Sequence, residues 1–245
     1  MTEISFVVPA YNEERLLPKA LQAILDEVRR TPCDAEIIVV NNASTDSTAA
    51  AATSFADVRV VDEPVKSLVR ARRAGFLAAR GRLIANIDAD TVLPEGWLRQ
   101  VLDAFRADPE LVALSGPYVY DDLSLAARIG VHLFYRVGYG FHVVSRWVFG
   151  VGGMLQGGNF VVTREALQGI GGYSDSFEFY GEDTDVACRL ARIGRVRFSF
   201  TLWARSSGRR LSKEGVVRMA MRYGLNFLWT TFLGRPFTRS AIDIR

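Results

Sequence analysis

Strands alternating with amphipathic helices through the first half of this 245-residue chain predict an α/β protein with a mainly parallel sheet covered on both faces. Two further observations agree. The apolar runs Ile4–Pro9, Glu36–Val40 and Leu83–Ile87 are rich in strand formers and too short for helices. Each polar or acidic motif in this half stands where such a run gives way to a loop, the place at which open α/β sheets collect ligands.

Taken in order, Ile4–Pro9 is the first strand. Glu14–Arg30 spaces Leu17, Leu21, Ile24 and Val28 at helical intervals. Glu36–Val40 is the second strand, the alanine-rich stretch from Ser47 a helix, and Val58–Val61 the third strand. Val69–Ala79 reads as a helix and Leu83–Ile87 as the fourth strand. Pro94 and Trp97 open a helix that runs to about Ala107, and Leu111–Ser115 is a fifth strand. Beyond it, Asp121 to Phe149 is long and aromatic, with Asp121 and Asp122 resembling a helix N-terminus, and Gly150–Gly158 is loop. A strand at Asn159–Thr163, a short helix at Arg164–Gln168, an amphipathic helix at Glu182–Ile193, a strand at Val196–Trp203 and an apolar, basic helix at Lys213–Phe232 complete the chain. With no repeat and no low-complexity linker, residues 1–245 are expected to form one domain.

An apolar fraction of 49% and a charged fraction of 23% exclude a disordered chain. The net charge of +3 hides an asymmetry: residues 195–245 hold 11 Lys and Arg against 2 Asp and Glu, and the preceding residues hold 19 against 25. Two readings stand: a polyanionic partner, or a solvated face on the last helix. Cys33 and Cys188 lie in no CxxC pair, which argues against structural zinc and a disulfide framework and fits a reducing cytoplasm. The start, Met1-Thr2-Glu3-Ile4-Ser5-Phe6, does not read as a signal peptide. No stretch reaches the roughly 18–20 uncharged apolar residues of a membrane span. The aromatic stretch 131–149, with Arg128, Arg136 and Arg146 interspersed, is either core or a groove and interfacial surface for a lipid-linked acceptor; together with the last helix it allows peripheral placement on the inner face of a membrane.

Asp88-Ala89-Asp90 is the most informative segment. Two carboxylates one residue apart, at the end of the strand Leu83–Ile87, repel unless a cation or strong donors relieve them. A divalent metal carrying a phosphate ligand is the simplest such cation. The phosphate loops G-x-G-x-x-G and G-x-x-x-x-G-K-[ST] are both absent, which argues against dinucleotide oxidoreductases and P-loop enzymes.

Five segments in order resemble a known family: Pro9-Ala10-Tyr11-Asn12-Glu13, Asn42-Ala43-Ser44-Thr45-Asp46, Ala71-Arg72-Arg73-Ala74-Gly75, Asp88-Ala89-Asp90, and Gly171-Gly172-Tyr173 followed by Gly181-Glu182-Asp183. The set resembles the inverting family 2 glycosyltransferases of GT-A fold, over Ile4 to about Trp203. The resemblance implies a nucleotide-binding half at 1–115, an acceptor half at 116–212, and a basic amphipathic helix and tail at 213–245. It implies a nucleoside-diphosphate sugar, UDP- or GDP-linked, as donor, a hydroxyl or lipid-linked acceptor, and Mg²⁺ or Mn²⁺ as cofactor; an anionic membrane surface is a further partner that the aromatic stretch and the basic last helix allow, and no nucleic acid is expected.

The resemblance also assigns roles. Pro9, Tyr11 and Glu13 would line the nucleoside pocket, although Glu13 also suits the first turn of a helix. Asn42 stands where the family often has an Asp that accepts from the base; its amide accepts more weakly, which leaves the base open. Asp46 is expected to cap the following helix. Arg72 would reach the nucleotide, Asp90 would bind the metal, and Asp88 would touch the ribose or a metal-bound water. Asp183 would be the general base, Glu182 would orient acceptor or sugar, and Asp185 would complement the helix dipole. Gly157-Gly158-Asn159 would bring backbone close to the donor sugar or form a plain loop, with Gly158 and Asn159 counted to the donor site. Arg205, Arg209 and Arg210 would close over the diphosphate. His132 and His142 are assigned no chemistry. A sugar nucleotidyltransferase and a non-catalytic nucleotide-sugar-binding protein are the lesser alternatives.

Overall fold

The computed structural model describes residues 2–238. Among them, β1 (Ile4–Ala10), β2 (Ala35–Asn42), β3 (Val58–Glu63), β4 (Leu83–Ile87), β5 (Leu111–Ser115), β7 (Asn159–Thr163) and β8 (Arg195–Phe198) form one sheet in the order β3-β2-β1-β4-β7-β5-β8. A small parallel pair joins β6 (Tyr118–Val119) to β9 (Ala204–Arg205). The expected mixed, mainly parallel α/β architecture is present: only β7 runs against its neighbours, β4 and β5. β1 is an interior strand, buried along its whole length, and the strand order reverses between β1 and β4. A crevice opens there at the carboxyl ends, as in other doubly wound sheets.

The helices are α1 (Leu17–Arg30), α2 (Thr48–Thr53), α3 (Leu68–Ala78), α4 (Trp97–Ala107), α5 (Leu125–Phe149), α6 (Arg164–Gly169), α7 (Glu182–Leu190), α8 (Arg209–Glu214) and α9 (Val216–Leu233). Side chains alternate across the pleat of β1. Phe6 and Val8 pack with Leu21, Ile24, Trp97 and Val101 of α1 and α4. Val7 packs on the other face with Ile38, Val40 and Ala71. Gly75 lets α3 lie close to the sheet, since a Cβ there would come within 2.2 Å of Val7 Cγ1. Buried Glu27 joins α1 to α4 by accepting the Gly96 and Leu98 N–H groups, at 3.1 and 3.0 Å, at the positive end of α4.

Four expectations need correction. The first helix starts at Leu17 rather than Glu14, because Pro18 occupies its first turn. The late strand stops at Phe198, and the chain turns back to pair as β9. The last helix is two helices, broken at Gly215, whose φ of +86° favours glycine. Asp121 and Asp122 do not start α5; Ser124 caps it by accepting the Ala127 N–H. The two aspartates instead hold the returning segment, Asp121 through Arg205 and Asp122 through the Gly208 N–H. The tail beyond Thr238, with Arg239 and Arg245, lies outside the described residues.

Candidate active site

β1, β4 and β5 deliver their following loops to one cleft, which encloses a cavity of about 670 Å³. Asp88 follows β4 directly and enters a tight turn closed by the Thr91 N–H on the Asp88 carbonyl, 2.9 Å. This turn holds Asp88 and Asp90 at the cleft wall.

Arg72 is the electrostatic centre. It is 1% exposed, yet its guanidinium donates to Glu182 and, at 3.3 Å, to Asp88 Oδ1. A cation this deep persists because two carboxylates meet it. Arg72 Nε and Glu182 Oε2 are buried without a protein partner and lie at the cleft. Such atoms in a native site point to a ligand or water.

Tyr118, which the motifs did not single out, holds the second Asp88 oxygen. Its hydroxyl lies 3.1 Å from Asp88 Oδ2, 2.9 Å from the Gly157 carbonyl and 3.2 Å from Thr91 Oγ1. Burial, reinforced by the charges of Asp88 and Asp90, pushes the phenol well above its usual range, so it remains a donor. The only signal in the sequence was its place just after β5, at a strand's carboxyl end. Gly158 makes room for this pair: its φ is +81°, and a Cβ would lie 2.1 Å from Asp88 Cγ and 2.2 Å from the Tyr118 hydroxyl.

Asp183 begins α7 beside Glu182. Its Oδ2 accepts the Gly157 N–H at 2.9 Å and its Oδ1 the Thr184 N–H at 2.7 Å. Burial raises its pKa, and the Arg72 charge and these backbone bonds only partly offset that. Asp185 does not simply complement the helix dipole; it pairs with Arg189 at 2.6 Å, and Arg189 also ties down the Ile170 and Gly172 carbonyls.

Pro9, Tyr11 and Asn42 also line the cavity, with Lys66, whose ammonium lies 3.9 Å from the Tyr11 ring centroid. The Asn42 amide is largely committed to the 63–67 loop: it donates to the Val65 carbonyl at 2.6 Å and accepts from the Ser67 N–H at 2.9 Å. Asp46 is not the cap expected of it: Ser47 is the N-cap of α2, and Asp46, one residue earlier, accepts the Thr48 N–H at 3.0 Å. Burial would raise its pKa, but the bonds from Thr48 and Glu14 outweigh that and lower it.

Three of the donor-site positions expected from the sequence, Gly158, Asn159 and Glu13, are not at the cavity wall; Gly158 packs behind it against Asp88 and Tyr118. Asn159 is fully buried; it accepts from Trp97 Nε1 at 3.0 Å and donates to the Gly116 and Leu202 carbonyls at 3.0 and 2.8 Å. Its amide joins β7 to two loops, because a strand-initial side chain here points inward. Glu13 is also buried and pairs with Arg209 behind the wall.

Arg209 at the start of α8 bridges Glu13 and Asp90, 3.2 Å from Asp90 Oδ2, while Ser206 donates to Asp90 Oδ1 at 3.4 Å. Arg205 lies off the cavity wall and pairs with Asp121, whereas Arg210 lines the cavity and pairs with Glu214. The donor set suits a divalent metal: two carboxylates on one turn face the cavity, and the guanidinium at Asp90 is a stand-in cation. Among the described residues no group of three or more His, Cys, Asp or Glu closes around a metal. A cation here would therefore take further ligands from a bound molecule and water.

The chain matches the Glycosyl transferase family 2 model over residues 5–171. It is 28% identical to a dolichyl-phosphate beta-glucosyltransferase, ALG5D, of Trichomonas vaginalis, across 93% of this chain and 75% of that protein. A second from that organism, ALG5C, is 30% identical across 67% of this chain, which spans about half (52%) of its length. Two solved structures share the fold. Glucosyl-3-phosphoglycerate synthase from Mycobacterium tuberculosis, in complex with Mn²⁺ and UDP-glucose, superposes with a TM-score of 0.64 at 20% identity, covering 97% of this chain and 81% of that one. The mannosyltransferase PcManGT from Pyrobaculum calidifontis, in complex with GDP-Man and Mn²⁺, gives 0.62 at 21%, covering 84% and 56%.

Proposed function

The chain belongs to glycosyl transferase family 2, and from that premise we propose a metal-dependent, inverting transfer of a sugar from a UDP- or GDP-linked donor to a hydroxyl acceptor. One observation carries the reading. Asp88 and Asp90 share a cavity with Glu182 and Asp183, with Arg72 joining the two acidic segments.

In this reading residues 1–115 seat the nucleotide, with the base and ribose between Pro9, Tyr11 and Asn42, and residues 116–212 receive the acceptor. Asp90, with Asp88, would hold Mg²⁺ or Mn²⁺, which neutralises charge on the leaving diphosphate. Tyr118 and Arg72 keep the Asp88 carboxylate aimed, one at each oxygen. Arg209 adds a cation beside Asp90 and links the closing segment to Glu13. Asp183 takes the acceptor proton as its oxygen attacks, and a pKa raised by burial makes it a stronger base than an exposed carboxylate. Glu182 keeps one buried oxygen for the acceptor or sugar.

A second reading is a polyprenyl-phosphate acceptor, favoured by the apolar extension of the cavity between α5 and α9. Such an acceptor is already anionic and depends less on Asp183. It would hold the chain peripherally at the inner face of a membrane. No helix among the described residues is long and apolar enough to cross one.

Thermal-shift measurements against UDP- and GDP-sugars, with and without Mn²⁺ or Mg²⁺, test the donor site. Stabilisation is expected only with nucleotide and cation together. Cation-independent nucleotide binding that survives Asp90→Asn would refute it. Asp183→Asn then separates the acceptors: lost turnover with intact donor binding supports the hydroxyl, retained turnover on polyprenyl phosphate the lipid phosphate.

A further inference from the structure

The cavity does not end at the carboxylates. It runs on into a groove walled by Val131, Phe134 and Phe141 of α5 and by Ala220, Tyr223 and Phe227 of α9. The outer faces of both helices are apolar. In α9 the buried residues are Met219, Asn226, Thr230 and Thr231, three of them polar. Val217, Met221 and Leu225 point out, 73%, 60% and 40% exposed. This is the reverse of a helix that turns its polar side to water. In α5 only Tyr135 and Ser145 of 25 residues are buried. Leu125, Ile129, Leu133 and Val137, at steps of four and thus on one stripe, are each more than half exposed.

Neither helix carries a carboxylate. α5 has Arg128, Arg136 and Arg146, and α9 has Arg218 and Arg222. A contiguous apolar face of this kind marks an interaction surface. Its charge decides the partner. A second copy seated on the same patch would set arginines against arginines with no carboxylate on either helix to meet them. Arg128 and Arg222 already pair with Asp121 and Glu214, just outside the helices; an anionic lipid surface neutralises the other three, Arg136, Arg146 and Arg218.

We propose that the α5–α9 face docks in the plane of an anionic bilayer and that the apolar tail of a lipid-linked acceptor enters the groove sideways from it. The inference rests on the reading of the cavity as the transfer site. Apolar stripes with flanking cations are the signature of helices lying in the interface. Trp147, 87% exposed near the end of α5, suits the headgroup layer. The groove's walls are these same two helices, so a bound bilayer lies beside its mouth and the tail need not cross water.

The test is sedimentation of the purified chain with phosphatidylcholine vesicles, with and without phosphatidylglycerol, at low and high salt. Binding is expected to need the anionic lipid and to weaken with salt, with a blue shift of tryptophan emission that Trp147→Phe removes. Arg136→Gln with Arg218→Gln should lower partitioning by roughly fivefold or more per arginine. Leu133→Asp with Met221→Asp should abolish it while leaving metal-dependent nucleotide binding intact, because neither residue lines the cavity. Nucleotide binding without attachment to either vesicle overturns the membrane assignment. So does a solution dimer that Leu133→Asp dissociates, which gives the face to a second copy. Vesicle binding without metal-dependent nucleotide binding overturns the reading of the cavity, and with it the acceptor's route.

Discussion

Replacing Arg72 by Gln tests whether the buried guanidinium organises the site or merely fills space. Its side chain is 1% exposed and that of Glu182 6%, so the substitution strands a carboxylate in the interior. Removing one partner of a buried pair typically costs about 3–5 kcal/mol. The Asp88 contact adds little, at 3.3 Å to a side chain 32% exposed; exposed pairs contribute roughly 0–1 kcal/mol. For a domain of this size the total corresponds to a fall in Tm of roughly 6–20 °C. Urea unfolding should show a lower midpoint with an unchanged slope. Adding Glu182→Gln to Arg72→Gln removes the stranded charge and should restore part of the loss, giving a coupling of roughly 1–3 kcal/mol in a double-mutant cycle. A loss under about 1 kcal/mol for Arg72→Gln, or strictly additive losses in the double variant, refutes the reasoning.

Other outcomes follow from the same geometry. Asp183→Asn should lower kcat on a hydroxyl acceptor by about 10²–10⁴-fold while the affinity for donor and Mn²⁺, measured by calorimetry, stays the same. Because burial raises the Asp183 pKa and only the ionised form accepts a proton, activity should fall as pH drops, starting above the ordinary carboxylate range; an acid limb at or below the usual value of about 4 counts against Asp183 as base. Tyr118→Phe removes one bond to Asp88 and should weaken Mn²⁺-dependent nucleotide binding by about five- to tenfold, with the fold intact by circular dichroism. Gly158→Ala should do worse, abolishing cation-dependent binding, since its Cβ overlaps Asp88 and Tyr118; unchanged binding would show that the turn relaxes freely.

Much of the fold is legible in the chain because its signals are local. The apolar runs of β1 and β4 and the helical spacing of α1 and α4 need only a window of neighbours, and the rule that ligands gather at strand ends then locates Asp88 and Asp90. Asp183 was legible for the same reason, as an acid at a helix start in an ordered set of motifs. Asn159 reads identically in a local window whether its amide faces a ligand or the interior. Only the packing of Trp97, Gly116 and Leu202 around it decides for the interior.

By itself, then, the amino-acid order determined which segments become strands and helices and which carboxylates stand at their ends. The tertiary structure alone decided how they pair. Arg72 meets Glu182 across 110 residues and Arg209 meets Asp90 across 119, separations over which no periodicity or propensity carries information. It also decided that α9 turns its threonines and asparagine inward and its apolar side out. An amphipathic pattern gives a helix two faces, and which one is buried depends on what the rest of the chain places against it.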